Sequence, residues 1–396
     1  MAIQIHNRKK GAALRVINAL ISLLHFPARI FSKTPDLAKL TPQKILLLRL
    51  DHIGDVVMTS PAFSSIRERF PQAEIILLTD SVGQRLFDKD PRIDQVMVYN
   101  WPWVHQKKNN SFSAAKLKEL FSLVRRLRHE KIDLLVDFRG DIRFIILFGI
   151  LTGAKIRISN SRCGDSTLLH SSSYYDVSKH EVERSLDVLE CLGCPTGDSR
   201  PRIYLREEEI ASIRQKVEAR TGNVFPPKLA VIAPYSSKDV KSWPAHYFRE
   251  LISSLTADGF SVIIAGTKDD REHARAMISG ISGQVYSFAG ETSIRELGAL
   301  VSIASIVVGV DTGVLHIAAC FNVPVIAIFG ATRSVEFRPY SPFARVLETN
   351  TCRCNQFLHD KCDYPVDGYA ECLATLKPSQ VLQAIAEIKL NPTISA

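Results

Sequence analysis

One alternating pattern runs through the first half of this chain, lapses, and begins again. Apolar runs of strand length, Ile45 to Leu50, Glu74 to Leu78, Gln95 to Val98 and Leu134 to Phe138, alternate with helical stretches such as Lys116 to His129. Residues 195–228 break the pattern with Pro195, Pro201, Pro226 and Pro227 around a charged helical stretch from Arg206 to Arg220. It restarts with Leu229 to Ala233, Ser261 to Ala265, Val285 to Phe288, Ile306 to Val310 and Val325 to Phe329. Near-continuous apolar strands separated by helices belong to mostly parallel sheets covered on both faces. The expected fold is therefore α/β, with two doubly wound, Rossmann-like domains facing each other across a cleft. Their expected bounds are 44–205 and 229–396, with 206–228 as an interdomain segment, and a length of 396 residues suits two domains.

Residues 1–43 form a different kind of segment. The chain carries a net +9, but Arg8, Lys9, Lys10, Arg15, Arg29, Lys33, Lys39 and Lys44 against Asp36 give residues 1–44 a net +7, leaving +2 for the body. A charge gathered at one end disfavours a general nucleic-acid-binding face. Between Ala12 and Phe26 the polar residues Arg15, Asn18, Ser22 and His25 recur at spacings of three and four, which predicts an amphipathic helix ended by Pro27. Two settings suit it: a membrane interface, favoured by the basic cluster beside an anionic leaflet, or docking on the protein's own body. No apolar run reaches the roughly 18 to 20 uncharged residues of a spanning helix.

In doubly wound sheets ligands bind outside the carboxyl ends of the strands, so the loops there hold the candidate chemistry. After the first strand comes Asp51-His52-Ile53-Gly54-Asp55. Asp55 at a helix start is a candidate general base, although taken alone the loop favours a simple cap. No G-x-G-x-x-G follows that strand, so it is not a dinucleotide fingerprint. After Leu229 to Ala233, Ser236 and Ser237 offer hydroxyls to phosphate oxygens, and Lys241 offers charge to a diphosphate leaving group. A solvated loop anchored by Trp243-Pro244 explains the same residues, with Trp243 as packing. Ser293 and Glu296 have capping-box spacing. After Ile306 to Val310, Asp311-Thr312-Gly313 opens a helix and would present a hydroxyl and N–H groups to an anion, with His316 on the same face. A lone helical histidine is more often a packed residue.

Together these residues resemble the lipopolysaccharide heptosyltransferases, glycosyltransferase family 9. The resemblance rests on Arg49 to Val57 with Thr59 and Pro61, on Lys241-Ser242-Trp243-Pro244, on Gly290 with Thr292-Ser293, on Asp311 to Ala319, and on Phe329-Gly330-Ala331-Thr332. These stand in the family's order over roughly residues 44–345. The resemblance implies a GT-B fold, with acceptor held mainly by the first domain and nucleotide-sugar by the second. It implies that Asp55 is the catalytic base, that Lys241 binds the diphosphate, and that Ser236, Ser237, Asp311, Thr312, Gly313 and His316 bind the donor. Ala331 and Arg333 depart from the family's usual proline and acidic residue, and the donor-ribose acid maps onto Lys268, Asp269 or Asp270 without a choice between them. No motif assigns acceptor-binding residues. Asp88-Lys89-Asp90 resembles a metal-binding D-x-D, but its position before Pro91 predicts a surface turn.

Cys191 and Cys194 sit at a predicted helix end and are expected to be structural. Cys352, Cys354, Cys362 and Cys372, in a cysteine-rich segment at 350–373, suit one structural Zn²⁺ or two disulfides, and a reducing compartment favours metal or free thiols. The expected function is an inverting glycosyltransferase, with no cofactor required for catalysis. It would transfer a heptose-like sugar from an ADP-sugar to a lipid-linked lipopolysaccharide core acceptor. Its expected place is peripheral, at the cytoplasmic face of a bacterial inner membrane, held to the anionic surface by the arm. The competing readings are a non-catalytic nucleotide-sugar or phosphate-binding protein, which has no need of Asp55, and a zinc-containing RNA binder. The latter would need aromatic residues interleaved with basic ones on the body, and these are not evident.

Overall fold

The computed structural model describes residues 35–101, 113–162, 168–222, 224–349 and 361–388. The amphipathic helix expected between Ala12 and Phe26 lies outside them. The chain divides into two compact units, Met1–Tyr204 and Leu205–Ala396.

The first unit is built on a six-stranded sheet in the order β3-β2-β1-β4-β5-β6, every pair parallel. Its strands are β1 (Lys44–Leu48), β2 (Glu74–Thr79), β3 (Gln95–Val98), β4 (Leu134–Asp137), β5 (Ile156–Asn160) and β6 (Ser171–Ser173). β1 is apolar after Lys44 because it lies mid-sheet with helices over both faces, and Ile45 to Leu48 are fully buried. The helix Ala114–Glu130 shows the usual one-sided pattern and buries Leu120, Leu123 and Leu127 against the core that holds Phe144 and Phe148.

The second unit repeats the plan in the order β12-β11-β10-β7-β8-β9, again all parallel. It contains β7 (Leu229–Ala233), β8 (Ser261–Ile264), β9 (Val285–Ser287), β10 (Ile306–Val310), β11 (Val325–Ile328) and β12 (Ala344–Leu347). The charged helix Glu207–Arg220 belongs to this unit and packs on the helix Ile294–Ser302. The helix Ile294–Ser302 begins with the capping box its sequence predicts: Glu296 N–H donates to Ser293 Oγ at 3.2 Å, and Ser293 N–H donates to Glu296 Oε2 at 2.7 Å.

In both sheets the strand order reverses beside the first strand, between β1 and β4 and between β7 and β10. At the last paired position the first sheet places Asp137 opposite Leu48, and the second places Gly309 opposite Ala233. A Cβ on Gly309 would stand 2.5 Å from the Ala233 carbonyl oxygen and 2.8 Å from its Cβ, so only glycine lets these strands approach. Three strands, β5, β6 and β12, escape the sequence pattern. β6 is Ser-Ser-Ser and β12 a half-exposed edge, while β5 carries Arg157, which spends its guanidinium on the carbonyls of Leu168 and Ala154.

The Asp88-Lys89-Asp90 segment forms the expected turn, but only part of it lies at the surface. Asp88 and Lys89 are exposed, but Asp90 is buried, and Arg92 grips its carboxylate with two prongs, Nε to Oδ1 at 2.8 Å and Nη2 to Oδ2 at 2.6 Å. The Asp90 N–H donates to the Phe87 carbonyl at 3.0 Å and closes the expected turn, but its carboxylate is half of a buried structural ion pair rather than a surface group.

Candidate active site

The loop after β1 leads into the helix Ile53–Arg69, whose N-cap is His52 in extended conformation. The N–H groups of Asp55 and Val56 both donate to the His52 carbonyl, at 2.9 and 3.2 Å. Asp55 therefore stands in the first turn rather than at the cap. Its carboxylate lies 3.5 Å from Arg49 Nη2, with its side chain 22% exposed. Its carboxylate thus lies in the first turn of a helix and within reach of a guanidinium.

Arg49 is enclosed among a carbonyl and several carboxylates. Nη1 donates to the Phe138 carbonyl at 2.8 Å, Nη2 to Glu181 Oε1 at 2.6 Å, and Nε lies 3.1 Å from Asp51 Oδ2. Burial works against its charge, but the carboxylates of Glu181 and Asp55 outweigh that and raise its proton affinity. Glu181 starts the helix Glu181–Asp187 and is also gripped by Arg184 at 2.7 Å. Burial alone would push the Glu181 carboxyl up, yet Arg49 and Arg184 hold it down at about 2.

The loop after β4 closes the other side. Asp137 is fully buried, and its carboxylate accepts from the N–H groups of Arg139, Gly140 and Asp141 and from Ser159 Oγ, all within 3.1 Å. Burial nevertheless lifts its carboxyl to about 6. Gly140 takes φ +71°, and a Cβ there would collide with Asn160 Oδ1, so the turn requires glycine. Arg139 pairs with Asp51, and burial, helped by neighbouring arginines, brings it down to about 10.

In the second unit the loops after β7 and β10 meet. Lys241, at the end of the short turn Asp239–Lys241, places Nζ 2.6 Å from Asp311 Oδ2, and Ser236 Oγ donates to the Asp311 carbonyl at 3.3 Å. Ser237 is exposed on the same loop. Thr312 is the N-cap of the helix Gly313–Ala318 and makes no side-chain capping bond, so the helix does not consume its hydroxyl. His316 is buried on that helix. An ammonium has three donors, so Lys241 keeps capacity for an anion while Asp311 holds it in place. Trp243 is packing, as its sequence context predicts: it is buried edge-on against Phe248 and donates Nε1 to the Leu376 carbonyl at 2.9 Å. Asp270 accepts from the N–H and hydroxyl of Thr267, at 2.7 and 2.6 Å.

The sequence profile of glycosyltransferase family 9 (heptosyltransferase) matches residues 120–366. The chain belongs to that family. Among its relatives, the lipopolysaccharide heptosyltransferase 3 of Escherichia coli is 27% identical over 296 residues, covering 73% of this chain and 84% of the relative. Among solved structures, the glycosyl transferase family 9 protein of Veillonella parvula aligns at TM-score 0.73 with 20% identity, covering 89% of this chain and 97% of that one. The E. coli heptosyltransferase WaaC with ADP-2-deoxy-2-fluoro heptose aligns at TM-score 0.65 with 20% identity, covering 87% and 99%. This family 9 member is a glycosyltransferase of the heptosyltransferase type, with the GT-B arrangement of two parallel six-stranded sheets.

Sequence reasoning passed over Glu181, Arg184 and Arg139 as site residues and quoted Arg49 only as part of a motif. One signal was present: Arg49 directly follows an otherwise apolar run, and a buried arginine must find carboxylates. Of the late cysteines, Cys352 and Cys354 lie outside the described residues. Cys372 is buried in the second unit's apolar core, with Cys362, a free thiol, packed against that core. Among the described residues no group of three or more His, Cys, Asp or Glu could hold a metal. Cys191 and Cys194 are also free thiols, and burial pushes Cys194 up to about 12, which suits an unreactive packing role. Among the described residues no helix is long and apolar enough to cross a membrane.

Proposed function

We propose that this family 9 enzyme transfers a heptose from an ADP-heptose donor, with inversion, to a lipid-linked lipopolysaccharide core acceptor. The observation that carries this reading is Asp55: a partly exposed carboxylate beyond the first strand of the sheet, outside the cap position, beside a fixed guanidinium. Asp55 takes the proton of the acceptor hydroxyl as its oxygen attacks the anomeric carbon from the face opposite the diphosphate. The bond from that carbon to the diphosphate oxygen breaks in the same step, and ADP leaves with the electron pair. Lys241 neutralises charge growing on the diphosphate, while Ser236, Ser237, Thr312, Gly313, Asp311 and His316 hold the donor. The lysine fills the place a metal takes in other transferases, so the step as written uses no cofactor. The donor class is supported by the relatives' names and by the nucleotide-sugar analogue named with WaaC.

Such an acceptor places the enzyme peripherally at the cytoplasmic face of the inner membrane, with the basic arm of residues 1–43 against anionic lipid. A structural Zn²⁺ on Cys352, Cys354, Cys362 and Cys372 is a separate proposal, tested by elemental analysis of protein purified without chelator. The central test incubates the full chain with ADP-heptose and core-truncated lipopolysaccharide and follows the lipid product by mass spectrometry and by NMR of the new anomeric centre. A mass gain of one heptose, with the opposite anomeric configuration to the donor, is the expected result. Donor binding without product would favour a non-catalytic role.

A further inference from the structure

Asp55 is one branch of a chain of alternating charges. Arg184 pairs with Glu181 at 2.7 Å, Glu181 with Arg49 at 2.6 Å, Arg49 with Asp51 at 3.1 Å, and Asp51 with Arg139. A single nitrogen, Arg49 Nη2, serves two carboxylates, with a short bond to Glu181 and a contact of 3.5 Å to Asp55. The side chains of Arg49, Glu181, Arg184 and Asp51 are all at most 9% exposed, whereas Asp55 is at 22%. Among the acids that Arg49 contacts, Asp55 is the most accessible and the most loosely held. A base requires that balance, because a tight ion pair would deprive it of proton affinity and an uncompensated site would leave it protonated.

We infer that Arg49 and Glu181 are positioning residues that tune Asp55, Glu181 holding the guanidinium back so that it orients the Asp55 carboxylate without quenching it. This rests on the reading of Asp55 as the base. The charged and titratable groups around this branch come from four places. The loop after β1 supplies Arg49, Asp51 and His52, and the loop after β4 supplies Arg139 and Asp141. The helix packed on Asp55's own helix supplies Glu181 and Arg184, and Tyr175 lies near Arg49. Two substitutions in this set pull in opposite directions. Glu181→Gln removes an anion from the far side of Nη2 and frees the guanidinium to close on Asp55, lowering its proton affinity. Arg49→Lys keeps a cation for Asp51 but withdraws the prong that reaches Asp55, raising it.

The test is the pH dependence of kcat for the full-length enzyme, with donor KM and melting temperature measured beside it. A charge changed at this range shifts a neighbour by about one pH unit. Glu181→Gln should move the acid limb down by about that amount and lower the plateau roughly threefold. Arg49→Lys should move the acid limb up by about one unit. Donor KM should hold within about twofold in both, since both side chains make their bonds within the first unit. If Glu181→Gln does not fold, the upward shift in Arg49→Lys decides alone. Acid limbs that stay in place while only the melting temperature falls would overturn the inference. Asp55→Asn separates the two layers: normal turnover there removes the base reading itself, whereas an inactive Asp55→Asn with unmoved limbs in the other variants removes only the tuning.

Discussion

At the carboxyl end of the first sheet, buried arginines and carboxylates alternate from Arg184 to Arg139. At the same place in the second sheet, one ion pair, Lys241 with Asp311, stands among hydroxyls and glycine. Strand order and switch point are the same in both. The register position that decides the difference holds Asp137 in the first sheet, where it ties down the next turn, and Gly309 in the second, where it lets two strands close up. In the proposed mechanism one backbone plan serves two tasks. A proton acceptor needs its field fixed by surrounding charge, whereas a diphosphate cradle needs uncommitted donors and room.

The sharpest way to break this contrast is Asp55→Asn, which keeps shape but removes the basic oxygen. Turnover should fall by roughly 10² to 10⁴-fold with melting temperature and donor binding retained, as seen by steady-state transfer assay and calorimetry with ADP. Near-normal transfer would move the base to His52 or Asp51. On the other side, Lys241→Ala should cost roughly 10²-fold in kcat and less in donor affinity, because charge on the diphosphate grows as the bond breaks. A loss confined to donor affinity would make Lys241 a ground-state binder only.

Gly309→Ala tests the strand approach in the second unit. Its Cβ must displace the Ala233 backbone, so about 2 kcal/mol of stability should be lost in denaturant melts, with the first unit's transition unchanged. The smallest effects concern pH. The Glu181 carboxyl is depressed from 4.5 to about 2, so its contribution to stability is present above about pH 4.5 and is lost as the pH falls toward 2. Asp137 acts in the opposite sense. Raised from 3.8 to about 6, it contributes fully below about 3.8 and loses that contribution as the pH rises through 6. The first unit should therefore melt highest near pH 4, a maximum that Glu181→Gln blunts on the acid side and Asp137→Asn on the neutral side. A wild-type profile flat from pH 2 to 7 would contradict both assignments.

Much of the fold was legible because burial on both faces writes itself into sequence as apolar runs: β1, β7 and β10 could each be read from composition over five or six residues. β6 and β12 could not, since an edge strand is partnered on one side only and tolerates serine or arginine. The proposed donor loops were legible for a similar reason. Ser236, Lys241, Asp311 and Thr312 lie within a few residues of strand ends, and the end of a parallel strand is a fixed place.

The sequence by itself determined the two repeated α/β plans and the carboxylate, lysine and hydroxyls at the strand ends. It also carried the motifs that tie the chain to family 9. Tertiary structure alone decided that Asp55 stands in the first turn rather than at the cap, that Asp90 is buried against Arg92, and that Glu181 holds Arg49. Local chemistry is set by neighbours three or four residues away, which a sequence displays. An ion pair between Arg49 and Glu181, 132 positions apart, exists only because two helices pack together over the end of one sheet.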